Sequence, residues 1–183
     1  EANANFVTVH EAIGDLPVLK SGEQGDAIKE YRCDAFSDYQ RRSRIGSIGV
    51  LNHEAPRLSQ INLKRLEYIK PGGNWTDIPD DLLPKGMQRA RKSDHTKRYG
   101  RVLPDGLAST ILTKCDPHWG AFFHYEQNRS FTVREAARLQ SFPDHYVFTG
   151  NLAEQYAQGG NAVPPLLAQA VGLSLKSILE MEE

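Results

Sequence analysis

The stretch RSFTVREAARLQSFPD, residues 129–144, carries the clearest structural signal in this sequence. Thr132 and Glu135 have the spacing of a capping box, in which the hydroxyl and the carboxylate each bind a free backbone amide at a helix start. The residue before the cap is aromatic and can pack as a hydrophobic staple. Pro143 forbids continuation, so the pattern predicts a helix that ends near Gln140.

Arg134 lies in the first turn of this predicted helix, next to the positive end of the helix dipole. Glu135 suits that position electrostatically, whereas Arg134 does not. Arg134 therefore needs a dedicated carboxylate, carbonyl or phosphate partner. We interpret Arg134 and Glu135 as structural residues whose ion pairs organise two lobes of the chain.

A second informative stretch is GNAVPP, residues 160–165. Its two prolines favour a helix start, and the apolar spacing that follows predicts a helix ending near Glu180. Asn161 and Ala162 precede this helix, where an amide side chain and backbone amides can hold a small carboxylate or hydroxyl. A plain helix cap is the simpler interpretation of the same two residues.

Two further helices are predicted upstream. Thr8 and Glu11 form another capping box before a short helix, and Ser59 can cap a helix that runs to about Lys70. Two β-branched or aromatic runs, residues 109–113 and 121–125, favour strands. The sequence therefore predicts an α+β chain, with a small β-containing lobe and C-terminal helices.

Charge is distributed unevenly along the 183 residues, although the formal net charge is only −1. Residues 32–101 carry 15 basic and 8 acidic groups, and both flanks are acidic. A locally basic segment is what binding to a polyanion requires. Its densest part, residues 85–101, has little periodicity and is predicted to form loops. A solvated loop that only aids solubility is the alternative.

Composition and motifs exclude several classes of protein. Two cysteines are too few for a disulfide-stapled scaffold, and no apolar run reaches the roughly 18 residues of a membrane helix, so we expect a cytoplasmic protein. No nucleophile elbow or phosphate-binding glycine loop is present. Cys115, His118 and His124 are close in sequence but lack the paired spacing of a zinc site, so no metal is expected.

Residues 129–144 closely resemble the ninth conserved motif of the DNA cytosine-5 methyltransferases, and residues 160–165 resemble the tenth. The resemblance extends to HYEQNR at 124–129, to Thr110-Ile111, and loosely to AIGDLP at 12–17. It implies a connecting segment at 1–31, a target-recognition domain at 32–128 and a helical return at 129–183. It also implies duplex DNA as the substrate and contact of Asn161 and Ala162 with S-adenosylmethionine.

The basic segment falls inside the implied target-recognition domain, so composition and resemblance indicate the same surface. The QRRSR run at 40–44 imitates the family's eighth motif but follows AIGDLP instead of preceding it. We interpret those arginines as phosphate-contact candidates. Our main candidates for DNA contact are Lys85, Arg89, Arg91, Lys92, Lys97, Arg98 and Arg101, with Thr110 added by the resemblance.

The family's catalytic motifs are not found in this sequence. Neither Cys33 nor Cys115 follows a proline, and there is no Glu-Asn-Val and no Phe-x-Gly-x-Gly. No catalytic residue is therefore assigned, and we expect the chain to be inactive without a catalytic half. That half belongs either to the same polypeptide or to a separate subunit of a split enzyme. A stand-alone DNA-binding or regulatory protein derived from such an enzyme is the other hypothesis.

Overall fold

The computed structural model describes residues 6–24 and 28–180. The remainder of the predicted segments 1–31 and 129–183 lies outside these residues. Six α-helices connect through long loops in the described part of the chain. They are α1 (Val9–Ile13), α2 (Asp38–Ser43), α3 (Gln60–Leu66), α4 (Val133–Leu139), α5 (Leu152–Asn161) and α6 (Pro165–Leu179), with single 3-10 turns at Trp75–Asp77 and Asp80–Leu82.

The capping boxes predicted for α1 and α4 are confirmed. In α4 the Thr132 hydroxyl accepts from the Glu135 amide at 3.1 Å, and the Glu135 carboxylate accepts from the Thr132 amide at 2.8 Å. Helix α3 is shorter than predicted because its last turns tighten, with the Tyr68 amide donating to the Arg65 carbonyl three residues back. Helix α5 is capped by Asn151 and continues through Asn161.

The predicted β-containing lobe, and with it the α+β class, is wrong. Residues 6–24 and 28–180 contain isolated bridges but no extended strand. Phe123 shows the reason, since it bridges to Arg101 on one side and to Ser130 on the other for one residue only. Each contact is a single bridge that does not extend into a ladder, so the β propensity of these residues is satisfied by packing alone. The described residues therefore form helices and loops.

Two hydrophobic cores organise these loops. The first combines α1, α4 and α5 with Phe122, Phe131 and Phe148, and α4 packs on both α1 and α5. The second is formed by α3 and the loop after it, around Trp75 and Phe123. Phe122 and Phe123 are neighbours in sequence but are buried in different cores. This one segment therefore joins the two halves of the structure.

Helix α6 differs from the other helices because none of its fifteen residues is buried. Together with α5 it forms the segment Leu152–Leu179, which is apolar and long enough to count as a candidate membrane span. The helix is interrupted, however, because Ala162 and Pro164 have extended backbone angles. Fifteen residues of α6 rise only about 22 Å, short of the roughly 30 Å hydrocarbon core of a bilayer. Each helix alone is therefore shorter than that hydrocarbon core.

Candidate nucleic-acid interface

The basic loop at 85–98 is held on the second core by a few buried side chains. Met87 and Tyr99 are buried at its two ends. Between them, the Trp75 indole donates to the Asp94 carbonyl at 3.2 Å, and the Trp75 amide donates to the Arg98 carbonyl at 3.1 Å. The loop is thus anchored from below while its cations face outward. Five of the predicted DNA contacts are exposed here: Lys85, Arg89, Arg91, Lys92 and Lys97.

Arg98 and Arg101 are only partly exposed. The Arg98 guanidinium lies 5.2 Å from the ring centroid of Trp119. Arg101 donates through Nη2 to the side-chain oxygen of Asn128 at 2.7 Å and to the Leu66 carbonyl at 3.3 Å. Burial lowers the pKa of the Arg101 guanidinium. Arg101 is therefore engaged within the protein to a greater extent than the loop cations.

Thr110 is exposed beside a shallow groove of about 530 Å³. The neighbouring Ile111 is buried in the first core and fixes the position of Thr110. Lys97 lies on the same groove, so the structure brings one loop cation and the predicted threonine together. The groove is lined by Lys97, Leu107, Ala108, Ser109, Thr110, Leu112, Trp119, Gly120 and Phe122.

Arg129 and Glu135 form a fully buried ion pair next to these segments. Two Arg129 nitrogens donate to the two Glu135 oxygens at 2.7 and 2.6 Å. Burial by itself would raise the pKa of Glu135, but the charge and hydrogen bonds of Arg129 outweigh it and hold that pKa well below its usual range. The carboxylate thus stays ionised in the interior and completes the α4 cap.

His124 is buried against this pair as a neutral imidazole. Its Nδ1 accepts from the backbone amides of Glu126 and Gln127 at 3.0 and 3.2 Å, so Nδ1 carries no proton. Burial lowers the His124 pKa to about 4, and burial also lowers the pKa of His53. This cluster fixes the turn that leads from the groove into α4.

Arg134 binds carbonyl oxygens in place of a carboxylate. It donates to the backbone oxygens of Leu51, Pro143 and Tyr146 at 2.9, 3.1 and 2.6 Å. The nearest carboxylate, on Asp144, is 4.0 Å away. Arg134 therefore joins the segment after α2 to the loop after α4, and its unfavourable place at the helix start is offset by these bonds.

Arg138 is the centre of a second buried network. It donates to both oxygens of Asp144 at 2.6 Å, and to Asp15 at 3.1 Å, with all three side chains fully buried. Asp15 also accepts from Arg44 at 2.5 Å. Burial would lower the Arg138 pKa, but the two carboxylates raise it above its usual value. Arg44, a phosphate-contact candidate by sequence, is thus paired with Asp15 and stacks on the Tyr31 ring.

Asn161 and Ala162 lie at the junction of α5 and α6. Asn161 is exposed and borders an open surface pocket together with Gln158, so it supplies one polar wall to any ligand. Gly160 packs against the backbone of Leu112 and Thr113. This contact places the predicted cofactor residues directly behind the groove that carries Thr110.

Sequence patterns alone did not identify Asp15, Asp144, Arg138 or Trp119 as site residues. Arg134 was indicated only by its place in the first turn of α4, and Arg138, one turn later, has a similar position on the helix. Among the described residues there is no cluster of three potential metal ligands.

Comparison with solved structures identifies the class of fold. A prophage-encoded protein of E. coli, described as a candidate DNA modification methyltransferase, superposes with a TM-score of 0.63 at 21% sequence identity, over 95% of this chain and 47% of that protein. The chain therefore shares its fold with about half of that protein.

Sequence comparison identifies the family. DNA (cytosine-5)-methyltransferase 2 of Arabidopsis thaliana is 38% identical over 96% of this chain and 13% of its own length. The type II methyltransferase M1.HphI of Haemophilus parahaemolyticus is 36% identical over 98% of this chain and 38% of its length. The family model for C-5 cytosine-specific DNA methylases matches residues 83–177, and the chain belongs to that family. It spans less than half the length of these relatives.

The buried histidines predict an acid-sensitive fold. Because the folded-state pKa of His124 is about 4, the unfolded chain binds the proton first as the pH falls below about 6.5. The free energy of unfolding should then fall by roughly 1.4 kcal/mol per pH unit down to about pH 4. Urea denaturation at several pH values measures this slope. Protonation of Glu135 contributes to the slope only below about pH 4.5, because its pKa is lowered in the folded state.

His124→Asn keeps an acceptor near the Nδ1 position without a titrating ring, and should flatten the slope between about pH 6.5 and about pH 4.5. His145→Asn, at an exposed position, is the matched control. An identical slope in parent and His124→Asn would contradict the assignment.

Gly160→Ala should destabilise the chain by about 1–3 kcal/mol, although alanine favours helices. The new Cβ would lie 2.5 Å from the Thr113 backbone nitrogen, so the Thr110 segment must move. Gly172→Ala in α6 is the control, because nothing lies within 4 Å of its added Cβ, and it should be neutral or stabilising. The midpoints of urea denaturation measure the stability change of each variant. Equal changes for the two variants would show that the contact at Gly160 is unimportant.

Proposed function

We propose that this chain is the DNA-recognition and structural C-terminal part of a DNA (cytosine-5-)-methyltransferase. With the catalytic portion of the enzyme, it positions duplex DNA while a methyl group passes from S-adenosylmethionine to cytosine. One observation carries this proposal. Thr110 and Lys97 of the exposed basic loop line one groove, and Phe122 in this groove accepts a hydrogen bond from the Phe131 amide of the family's motif stretch.

Contacts to phosphate account for the basic loop. Exposed lysines and arginines on an irregular loop can follow a phosphate backbone, whereas base recognition needs side chains at groove depth. Arg98 and Arg101 extend this surface with partly exposed guanidinium groups, and the Thr110 hydroxyl adds a neutral donor to the backbone. The proposed contact set remains Lys85, Arg89, Arg91, Lys92, Lys97, Arg98, Arg101 and Thr110. Arg134 and Glu135 act behind it as structural residues.

The catalytic cysteine is proposed to come from outside this sequence. A nucleophilic cysteine needs an accessible thiolate, but Cys115 is buried and burial raises the pKa of its thiol. Cys33 is exposed but follows Arg32 in a loop without the family's proline. The chain alone therefore transfers no methyl group.

The bare surface of α6 favours a catalytic partner region over a stand-alone regulatory protein. Leu167, Val171, Leu175 and Ile178 are each more than half exposed on one helix. Soluble proteins seldom leave such a face uncovered. We propose that the catalytic portion covers it, either within one polypeptide or as the partner subunit of a split enzyme.

S-adenosylmethionine is the proposed cofactor, and it supplies the methyl group. Asn161 offers an exposed amide and Ala162 an extended backbone, which suit hydrogen bonds to a polar group of the cofactor. These residues form one wall only, so the rest of the site belongs to the catalytic portion. Free cysteines are typical of proteins in a reducing compartment, and both cysteines of this chain are free. Together with the proposed DNA substrate, this favours a cytoplasmic location.

Salt-dependent DNA binding tests the proposal. Fluorescence anisotropy with a labelled duplex of random sequence should show an affinity that falls with salt, because neutralised phosphates release counterions. Replacing Arg89, Arg91 and Lys92 together by Gln should lower the slope of log affinity against log salt by roughly 0.9 for each phosphate that is no longer neutralised. The weakening should be similar for all duplex sequences, since phosphate contacts carry no sequence information.

The matched control replaces three exposed lysines elsewhere, Lys20, Lys64 and Lys176, and should change the slope little. Equal slopes for the parent and the Arg89, Arg91 and Lys92 variant would place DNA on another surface. Incorporation of labelled methyl groups into DNA by the chain alone would refute the proposed need for a catalytic portion.

A further inference from the structure

The side chain of Trp119 is exposed, and its backbone and its ring both make contacts that fix their orientation. Its relative exposure is 53%, whereas the other tryptophan, Trp75, is 2% exposed. The Trp119 amide donates to the Asp116 carbonyl at 3.0 Å, and the His118 amide donates to the Asp116 carboxylate at 2.9 Å. This turn fixes the backbone from which the indole projects.

Two neighbours orient the indole ring itself. The Arg98 guanidinium carbon lies 5.2 Å from its centroid, and the His118 ring packs edge-on at 5.3 Å. His118 is in turn 3.3 Å from the hydroxyl of the buried Tyr99. A chain of contacts thus runs from the second core to an aromatic surface, and the indole loses little additional entropy on binding.

The surroundings of Trp119 combine apolar and cationic groups. It borders the groove that Lys97 and Thr110 also line, beside Gly120 and Phe122. Cations next to an exposed aromatic ring match duplex DNA, which offers phosphates beside the apolar faces of its sugars and the edges of its bases. An acidic or purely apolar partner would satisfy only one half of this surface.

We propose that Trp119 is a DNA-contact residue, and that its indole packs against the sugar and base of a nucleotide whose phosphate is neutralised by Arg98. The inference rests on the proposed function and adds to it a contact that is not electrostatic. Trp119 and Arg98 act as a pair, because the cation–π contact holds the guanidinium at the edge of the groove.

The two kinds of contact predict different salt behaviour. Trp119→Ala should weaken duplex binding roughly tenfold at an unchanged salt slope, since apolar packing releases no counterion. Trp119→Phe should retain most of the affinity because it keeps an aromatic face. Arg98→Gln should instead lower the slope by about one. The control is Tyr68→Ala, an exposed aromatic outside the groove, which should bind like the parent.

Tryptophan fluorescence gives a second readout on the unaltered chain. Acrylamide quenches exposed indoles, so most quenching of the free chain should come from Trp119 and should disappear in Trp119→Phe. Saturating DNA should protect the parent from quenching. Protection in the parent supports the inference even if Trp119→Ala fails to fold.

Two outcomes would overturn the inference while leaving the proposed function intact. One is a Trp119→Ala variant that folds and binds DNA as tightly as the parent. The other is a parent chain that binds DNA with a normal salt slope while Trp119 stays open to acrylamide. Absence of any salt-dependent DNA binding by the parent would instead refute the proposed function, and the inference with it.

Discussion

Arg138 is buried between Asp15 and Asp144, and this ion-pair network constrains the whole chain. Removing three charged groups from water costs several kcal/mol for each ion, and only good geometry with satisfied hydrogen bonds offsets that cost. Here both Asp144 oxygens, the Ala12 carbonyl and Asp15 accept from one guanidinium. The cost of separating the partners is correspondingly high, so the segments that carry them stay together.

Those segments are distant in sequence. Asp15 follows α1, Arg44 follows α2, and Asp144 follows α4, yet all three meet at or beside Arg138. Arg134, one helical turn earlier, also joins distant segments, because it donates to the carbonyls of Leu51 and Tyr146. A fold of short helices and long loops has few backbone ladders to hold it, so buried arginines take over that task. The segment around Thr110 packs on this interior through the buried Ile111.

Local sequence signals predicted local structure well. The Thr132 and Glu135 capping box depends on residues three positions apart, and both of its hydrogen bonds form. The strands at 109–113 and 121–125 were mispredicted because a strand needs a neighbour, and only tertiary structure decides whether one is present. Phe122 and Phe123 do alternate between two cores, as strand residues would, but without a ladder.

Long-range partners could not be predicted from the sequence. Arg138 and Asp15 are separated by 123 positions, and no local pattern indicates their pairing. The exposure of Trp119 is likewise a tertiary property, since Trp75 has the same chemistry and is buried. The exposed loop cations follow directly from composition, because isolated charges rarely enter a core.

A double-mutant cycle on Asp15 and Arg138 tests most directly whether this network holds the fold together. Asp15→Asn, Arg138→Met and the double variant would be compared by urea denaturation. Each single change should cost about 3–5 kcal/mol, because it removes one partner from a buried ion-pair network. The double variant should be more stable than the summed losses by at least about 1 kcal/mol. Losses that add within about 0.5 kcal/mol would contradict the account, since the two residues would then be energetically independent.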